Sequence, residues 1–297
     1  MKYLDPKADL TFKKVFGEHP ALLISFLNAL LPMDADREIE EIEYLPFELV
    51  PDNPLHKDTI VDVRCRDKCG RQFLVEMQMI WTSDYKKRVL LNAAKAYSRQ
   101  ADAGDGYKLM QPVYSLNLIN QVFEPALPSY YHQYQLRHTE YPDRIIEGLE
   151  IIFVELPKYN PLTFTEKKMK VLWLRYLTEI NNRTEEVPAD LLETPEIKEA
   201  VEIIQKSAFN EAELYAYERF WDYVWRERTL REGSKREGIK EGLEIGMKEG
   251  MKEGMKKGKY EEKQEVVLKA AAQGIPTATI ALITGLSIEE IAHILAE

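Results

Sequence analysis

Residues 59–80, TIVDVRCRDKCGRQFLVEMQMI, alternate apolar and polar side chains on either side of a short polar break. Val61, Val63 and Cys65, with Phe73, Val75, Met77 and Met79, make one apolar face, while Asp62, Glu76 and Gln78 fall on the other. A period of two is strand patterning, and Asp67-Lys68-Cys69-Gly70 supplies the turn of a β-hairpin. With Lys68 to Gly70 as a three-residue loop and Gly70 left-handed, Asp67 faces Arg71, and that register sets Asp62 directly opposite Glu76. Two carboxylates roughly 5 Å apart across a ladder repel, and a bound cation would reverse the sign. The hairpin therefore reads either as a hard-metal site or as the solvated side of an antiparallel ribbon.

Around it the apolar periodicity predicts further elements. Residues 9–31 form a first helix, with Asp9 as N-cap and Pro32 beyond its end. A strand near 39–50, the hairpin, a helix over 83–103 and a strand over 112–120 follow. Residues 121–160 read as a connection rich in tyrosine and proline, entering a strand at 150–156 that Pro157 stops. From 163 to 229 the period turns helical. There Tyr215, Tyr217, Phe220, Trp221, Tyr223 and Trp225 recur at spacings that suit a core or interface better than base stacking.

Gly238, Gly242, Gly246, Gly250, Gly254 and Gly258 then recur every fourth residue among Glu, Lys, Met, Ile and Leu. Each interior glycine costs a helix roughly 1 kcal/mol against alanine. The segment predicts a helix only with a partner, and reads as a spacer or a weak self-association arm. The last stretch breaks at Gly274-Ile275-Pro276 and at Gly285, and Ser287 with Glu290 makes a capping box. A helix-turn-helix is one reading. A small packing or docking unit is the other, because Glu289, Glu290 and His293 stand where DNA readers usually carry Arg or Lys.

Composition narrows the function classes. No apolar run approaches the roughly 18 residues of a membrane span, and MKYLDPKADL lacks a signal peptide's apolar stretch, so the expectation is a cytoplasmic protein with no membrane partner. Cys65 and Cys69 have no second Cys or His pair to complete a zinc site, and the five histidines are scattered. No Gly-x-Ser-x-Gly, His-Glu-x-x-His or phosphate loop occurs, which leaves triad, zincin and nucleotide-hydrolase mechanisms without support. The net charge of −10 is unevenly spread: residues 34–58 and 185–213 each carry nine acids against two bases, whereas residues 84–108 carry six bases against three acids. Arg88, Lys95 and Arg99 share one helical face that reads as a phosphate patch or a solvated surface, and Gln100 adjoins them.

Asp62, followed by Glu76-Met77-Gln78 on the next strand, resembles the active-site signature of the PD-(D/E)XK nuclease superfamily. More narrowly, the chain resembles the Rpn-type family of recombination-promoting nucleases and transposases. The opening KADLTFKKVFGEHPALLISFLNALL, with Asp9, Phe12, Lys13, Phe16 and Gly17 in order, is similar to that family's start. RVLLNAAKAYSRQADAGDGY, VYSLNLIN and IIFVELPKY are similar to its later blocks, and the glycine-spaced tail fits as well. The resemblance implies an α/β fold with a restriction-endonuclease-like αβββαβ core, a mixed sheet flanked by helices, and an α-helical C-terminal extension.

Together with the pattern above, it divides the chain into a nuclease-like domain over 1–160, a helical region over 161–232, the glycine-spaced repeat over 233–260 and a small helical segment over 261–297. It also implies a DNA endonuclease in which Asp62, Glu76 and the Met77 backbone carbonyl hold Mg²⁺, or alternatively Mn²⁺. Gln78, where the wider superfamily often has lysine, would orient the attacking water by hydrogen bonds without offering a charge. Arg88, Lys95 and Arg99 are the phosphate candidates, Asp9, Lys13 and Gln100 are further candidates, and residues 233–297 are a possible route to a homo-oligomer. The alternative is a nuclease-fold scaffold that acts through its tail.

Overall fold

The computed structural model describes residues 2–49, 59–101, 106–161 and 168–296. The single helix expected over 9–31 is two, α1 (Asp9–Glu18) and α2 (Pro20–Leu30). The residue before a proline avoids the α region, and His19 is accordingly extended at φ −119°, ψ 91°. Pro20 then opens α2 where its missing N–H is no loss. The N-cap of α1 is Ala8, so Asp9 is not the cap. It sits in the first turn and pairs with Lys13 at 2.8 Å.

The strand expected over 39–50 is two short pieces, β1 (Ile42–Tyr44) and β2 (Glu48–Leu49), with Pro46 between them and residue 50 outside the described residues. β2 pairs with β3 (Thr59–Ile60). The hairpin follows as β4 (Val63–Asp67) and β5 (Gln72–Gln78), in register from Val63↔Val75 to Arg66↔Gln72. The Asp67 N–H donates to the Arg71 carbonyl at 3.0 Å, and Gly70 takes φ 85°, as the three-residue loop requires. α3 (Tyr85–Ser98) is shorter than the expected 83–103, of which 102 and 103 lie outside the described residues.

After β6 (Val113–Ile119) the expected connection contains a second hairpin, β7 (Tyr131–Arg137) and β8 (Ile145–Glu155). β7 is an edge strand with most of its residues exposed, and a register shift at Gln135/Leu136 interrupts its pairing. It therefore carries little of the alternation that marks half-buried strands.

The six-stranded sheet runs β1-β4-β5-β6-β8-β7. β5, β6 and β8 are parallel at its centre, and antiparallel neighbours flank them. One face packs on α1, α2, α4 (Lys168–Glu179) and α6 (Pro195–Ile203), through Phe16, Phe26, Trp173 and Ile197 against Val63, Cys65, Phe73, Val75, Leu116 and Val154. On the other face, Tyr85, Val89, Ala93 and Ala96 of α3 meet Leu74, Val113, Ile119 and Phe153. Val61 belongs to this second cluster, not to the face of Val63, because the chain bends at Asp62 before β4 begins. A short α5 (Ala189–Leu192) joins α4 to α6.

The long α7 (Glu211–Ala272) begins in one compact unit, residues 1–228, and continues into a second, residues 229–297. In the first unit Tyr217 and Val224 are buried and Phe220 and Trp221 half-buried, whereas Tyr215, Tyr223 and Trp225 are exposed. The aromatic cluster is thus only partly core. The second unit is helical through the whole glycine-spaced run, and a Cβ at any of Gly238 to Gly258 would meet nothing within 4 Å. Its core forms where Val267 and Ala270 pack with Ile280 of α8 (Thr277–Thr284) and Ile291 and Ile294 of α9 (Ile288–Ala296). Gly274 and Gly285 take φ 76° and 66° at the breaks, and Ser287 and Glu290 exchange the two bonds of a capping box. No single helix among the described residues is long and apolar enough to cross a membrane.

Candidate active site

The β4–β5 ladder stops at Val63↔Val75, and β5 runs on for three residues, Glu76, Met77 and Gln78. On its far side β5 stays paired to β6 through Gln78↔Ile119. The near edge of Met77 therefore has no strand partner from β4. Asp62 fills the vacancy, its Oδ2 accepting the Met77 N–H at 2.7 Å. In an extended strand a residue's N–H and C=O point to the same edge, so the Met77 carbonyl shares the edge that Asp62 occupies.

Glu76 is not on a solvated face: it is only 5 % exposed, because α3 lies across this side of the sheet. Three side chains of α3 hold it. Asn92 Nδ2 donates to Oε1 at 2.9 Å, and the Tyr85 hydroxyl and Arg88 Nη2 each lie 3.3 Å from Oε2. Tyr85 also reaches Asn117 Oδ1 at 3.2 Å, and Asn117 is anchored in turn on Ser115 and the Ile152 carbonyl. Gln78 is engaged at both ends of its amide, accepting from Arg88 at 2.7 Å and donating to the Ile80 carbonyl at 2.6 Å.

Electrostatics mark the pair. Burial, then the nearby Glu76 and Asp9 carboxylates, push Asp62 up to about 7 against the pull of the Met77 N–H and Lys13. Burial also raises Glu76, although Arg88, Asn92 and Tyr85 oppose it. Both carboxylates thus sit where negative charge is under-compensated.

Asp9 and Lys13 act on Asp62 from α1, and Lys13 lines, with Asp62, Arg64, Tyr44 and Phe47, a cavity of about 300 Å³. Arg88 is drawn onto Glu76 and Gln78. Lys95 lies in the last turn of α3, and Arg99 caps its C-terminus beside Arg64, whose pKa is lowered by burial and then by the Arg99 charge. The Gln100 amide clasps the backbone of Gln111 at both ends. The sequence reading missed Tyr85, Asn92, Asn117 and Arg64. Tyr85, Arg88 and Asn92, spaced by three and four on the helix after the hairpin, were the available signal.

The donor set fits a hard divalent cation. Every candidate ligand is oxygen, the Met77 carbonyl shares the edge of Asp62, Glu76 lies near enough for its charge to act on Asp62, and Asn92 Oδ1 is buried without a hydrogen-bond partner among the described residues. No cluster of three or more His, Cys, Asp or Glu side chains occurs among the described residues. Two carboxylates with the balance left to water is the arrangement that Mg²⁺ favours.

A mixed six-stranded sheet flanked by helices, with Asp62 and Glu76-Met77-Gln78 at the end of its hairpin away from the turn, is a nuclease-like α/β fold of the PD-(D/E)XK type. The chain belongs to the PD-(D/E)XK nuclease family transposases, whose family model matches residues 6–232. No match to the chain was found among curated proteins or among solved structures.

Proposed function

We propose that this member of a nuclease and transposase family is a metal-dependent DNA endonuclease that promotes recombination. The observation that carries the reading is the pairing of Asp62 with the Met77 N–H beside a buried Glu76 held by three donors. Asp62, Glu76 and the Met77 carbonyl are the ligands, with Mg²⁺ the first choice and Mn²⁺ the second. A divalent cation held there supplies a more acidic water and positive charge against the phosphate.

The chain's own groups do the rest. Asn92 and Tyr85 fix the Glu76 carboxylate, Gln78 accepts a hydrogen bond from the attacking water, and Lys13, Arg64 and Arg99 receive the flanking phosphates. The glycine-spaced helix and the segment after it, residues 233–297, are proposed to bring copies of the chain together, outside the nuclease domain proper, in the cytoplasm.

Supercoiled plasmid incubated with wild-type protein, Asp62→Ala and Glu76→Ala, in Mg²⁺ and in chelator, tests the reading. Cleavage by wild type alone, with metal alone, is the expected result. Full activity in either variant removes these residues from the chemistry. Absence of any metal-dependent cleavage transfers the weight to a scaffold that retains the fold.

A further inference from the structure

Arg88 reaches the site from outside. Its side chain is 47 % exposed while that of Glu76 is 7 % exposed, and its guanidinium lies 4.7 Å from the centre of the Tyr85 ring. From there Nη2 bridges Gln78 Oε1 at 2.7 Å and Glu76 Oε2 at 3.3 Å. The other two donors to Glu76 differ in kind, because Tyr85 and Asn92 are each 1 % exposed and locked between α3 and the sheet. Of the three donors, the long half-exposed side chain is the one able to withdraw without opening the core.

Two features set its present position against a loaded site. Gln78 Oε1 accepts from Arg88 and its Nε2 donates to the Ile80 carbonyl, so a water competes with Arg88 at the same oxygen and is left one lone pair of it. Arg88 is also a full positive charge in contact with a carboxylate offered to a cation, and a dication on that carboxylate would repel it.

We propose that Arg88 is the resting counter-cation of this site, a guanidinium latch that holds Glu76 and Gln78 until a divalent cation displaces it and that then passes to a phosphate of the bound strand. The inference rests on the nuclease reading above. Charge balance supports it. With Arg88 in place and both carboxylates ionised, the site sums to −1. With a dication in its stead, the carboxylates are neutralised and the released Arg88 has a strand phosphate as its partner. Cation and DNA then assist one another, since each removes the partner that the other needs removed.

The test is Mn²⁺ binding to the full-length chain without DNA, followed by the electron paramagnetic resonance of the free ion. Wild type is compared with Arg88→Met, Arg88→Gln, Arg88→Lys and Asp62→Asn, with circular dichroism melting to establish that each is folded. Both neutral variants should bind Mn²⁺ about tenfold tighter than wild type, while Arg88→Lys stays near wild type and Asp62→Asn loses the site. Unchanged or weaker binding in a folded neutral variant overturns the latch and makes Arg88 a support of Glu76. No Asp62-dependent Mn²⁺ binding in the wild type overturns the nuclease reading and the latch with it. The two failures are therefore distinct.

Discussion

Asp62 owes its position to a gap in a ladder: β4 begins two residues too late to pair with Met77, and a carboxylate takes the place of a strand carbonyl. The arrangement leaves an acid beside another acid, and its pH dependence has a definite sign. Burial and Glu76 raise Asp62 to about 7 in the folded chain, so without metal the folded state keeps a proton that the unfolded chain gives up above roughly pH 4. That contribution to stability is complete below about pH 4 and is lost as pH rises to about 7. Asp62→Asn keeps an oxygen for the Met77 N–H and cannot ionise. It should abolish cleavage, yet in chelator it should be more stable than wild type at pH 8, by roughly 1–2 kcal/mol, and similar to wild type at pH 4. Denaturant melts at the two pH values check this, and equal stability at both would remove the raised acid. Asn92→Leu takes away the buried donor to Glu76, and loss of such supporting bonds costs about tenfold or more in metal affinity. Its effect on Mn²⁺ binding should be opposite in sign to that of Arg88→Met. Tightening in both would leave Asn92 with no part in fixing the ligand.

The elements differ in how openly the sequence declares them. The β4–β5 hairpin was legible down to its register, because one glycine at φ 85° closes a three-residue loop and Phe73 and Val75 alternate against a single apolar layer. The split between α1 and α2 was written in Pro20 but masked by an apolar pattern that continues across it. β7 was invisible because an exposed edge strand needs no alternation. Nor could Glu76 be read as buried: a polar residue in a strand looks outward until a helix, here α3, is known to lie over it. The glycine-spaced part of α7 was expected to need a partner, and it is helical with open space at every glycine of the row. Gly246→Ala and Gly250→Ala should therefore each favour the helix by about 1 kcal/mol. Circular dichroism melting of the full chain reads this. A loss of helix on substitution would mean that these glycines pack against another chain, and sedimentation would then show weaker self-association.

A molecule of net charge −10 is an unpromising DNA binder only if its charge is treated as one number. At physiological salt the Debye length is roughly 8 Å, so acids more than one such length from the bound strand act weakly on it. The acid-rich segments 34–58 and 185–213 are distinct in sequence from the cations that act at the site. Lys13 and Arg64 line the cavity beside Asp62, Arg99 lies close enough to Arg64 to lower its pKa, and Arg88 stands over Glu76. Lys13 and Arg88 already have carboxylate partners, Asp9 and Glu76, so each must exchange one anion for another on binding. Arg64 and Arg99 repel one another instead, and an interposed phosphate relieves both. Each neutralised phosphate contributes about −0.9 to the slope of log affinity against log salt, and two to four such contacts give a slope between roughly −2 and −4. Fluorescence anisotropy with a short duplex in chelator, where cleavage cannot interfere, measures it. Arg99→Ala should make the slope shallower by about 1 and leave Mn²⁺ binding at Asp62 unchanged, because that side chain is not among the donors to either carboxylate. A wild-type slope near zero would mean that these cations meet no phosphates, and would move the chain from a nuclease on DNA to a scaffold that keeps the nuclease fold for another partner.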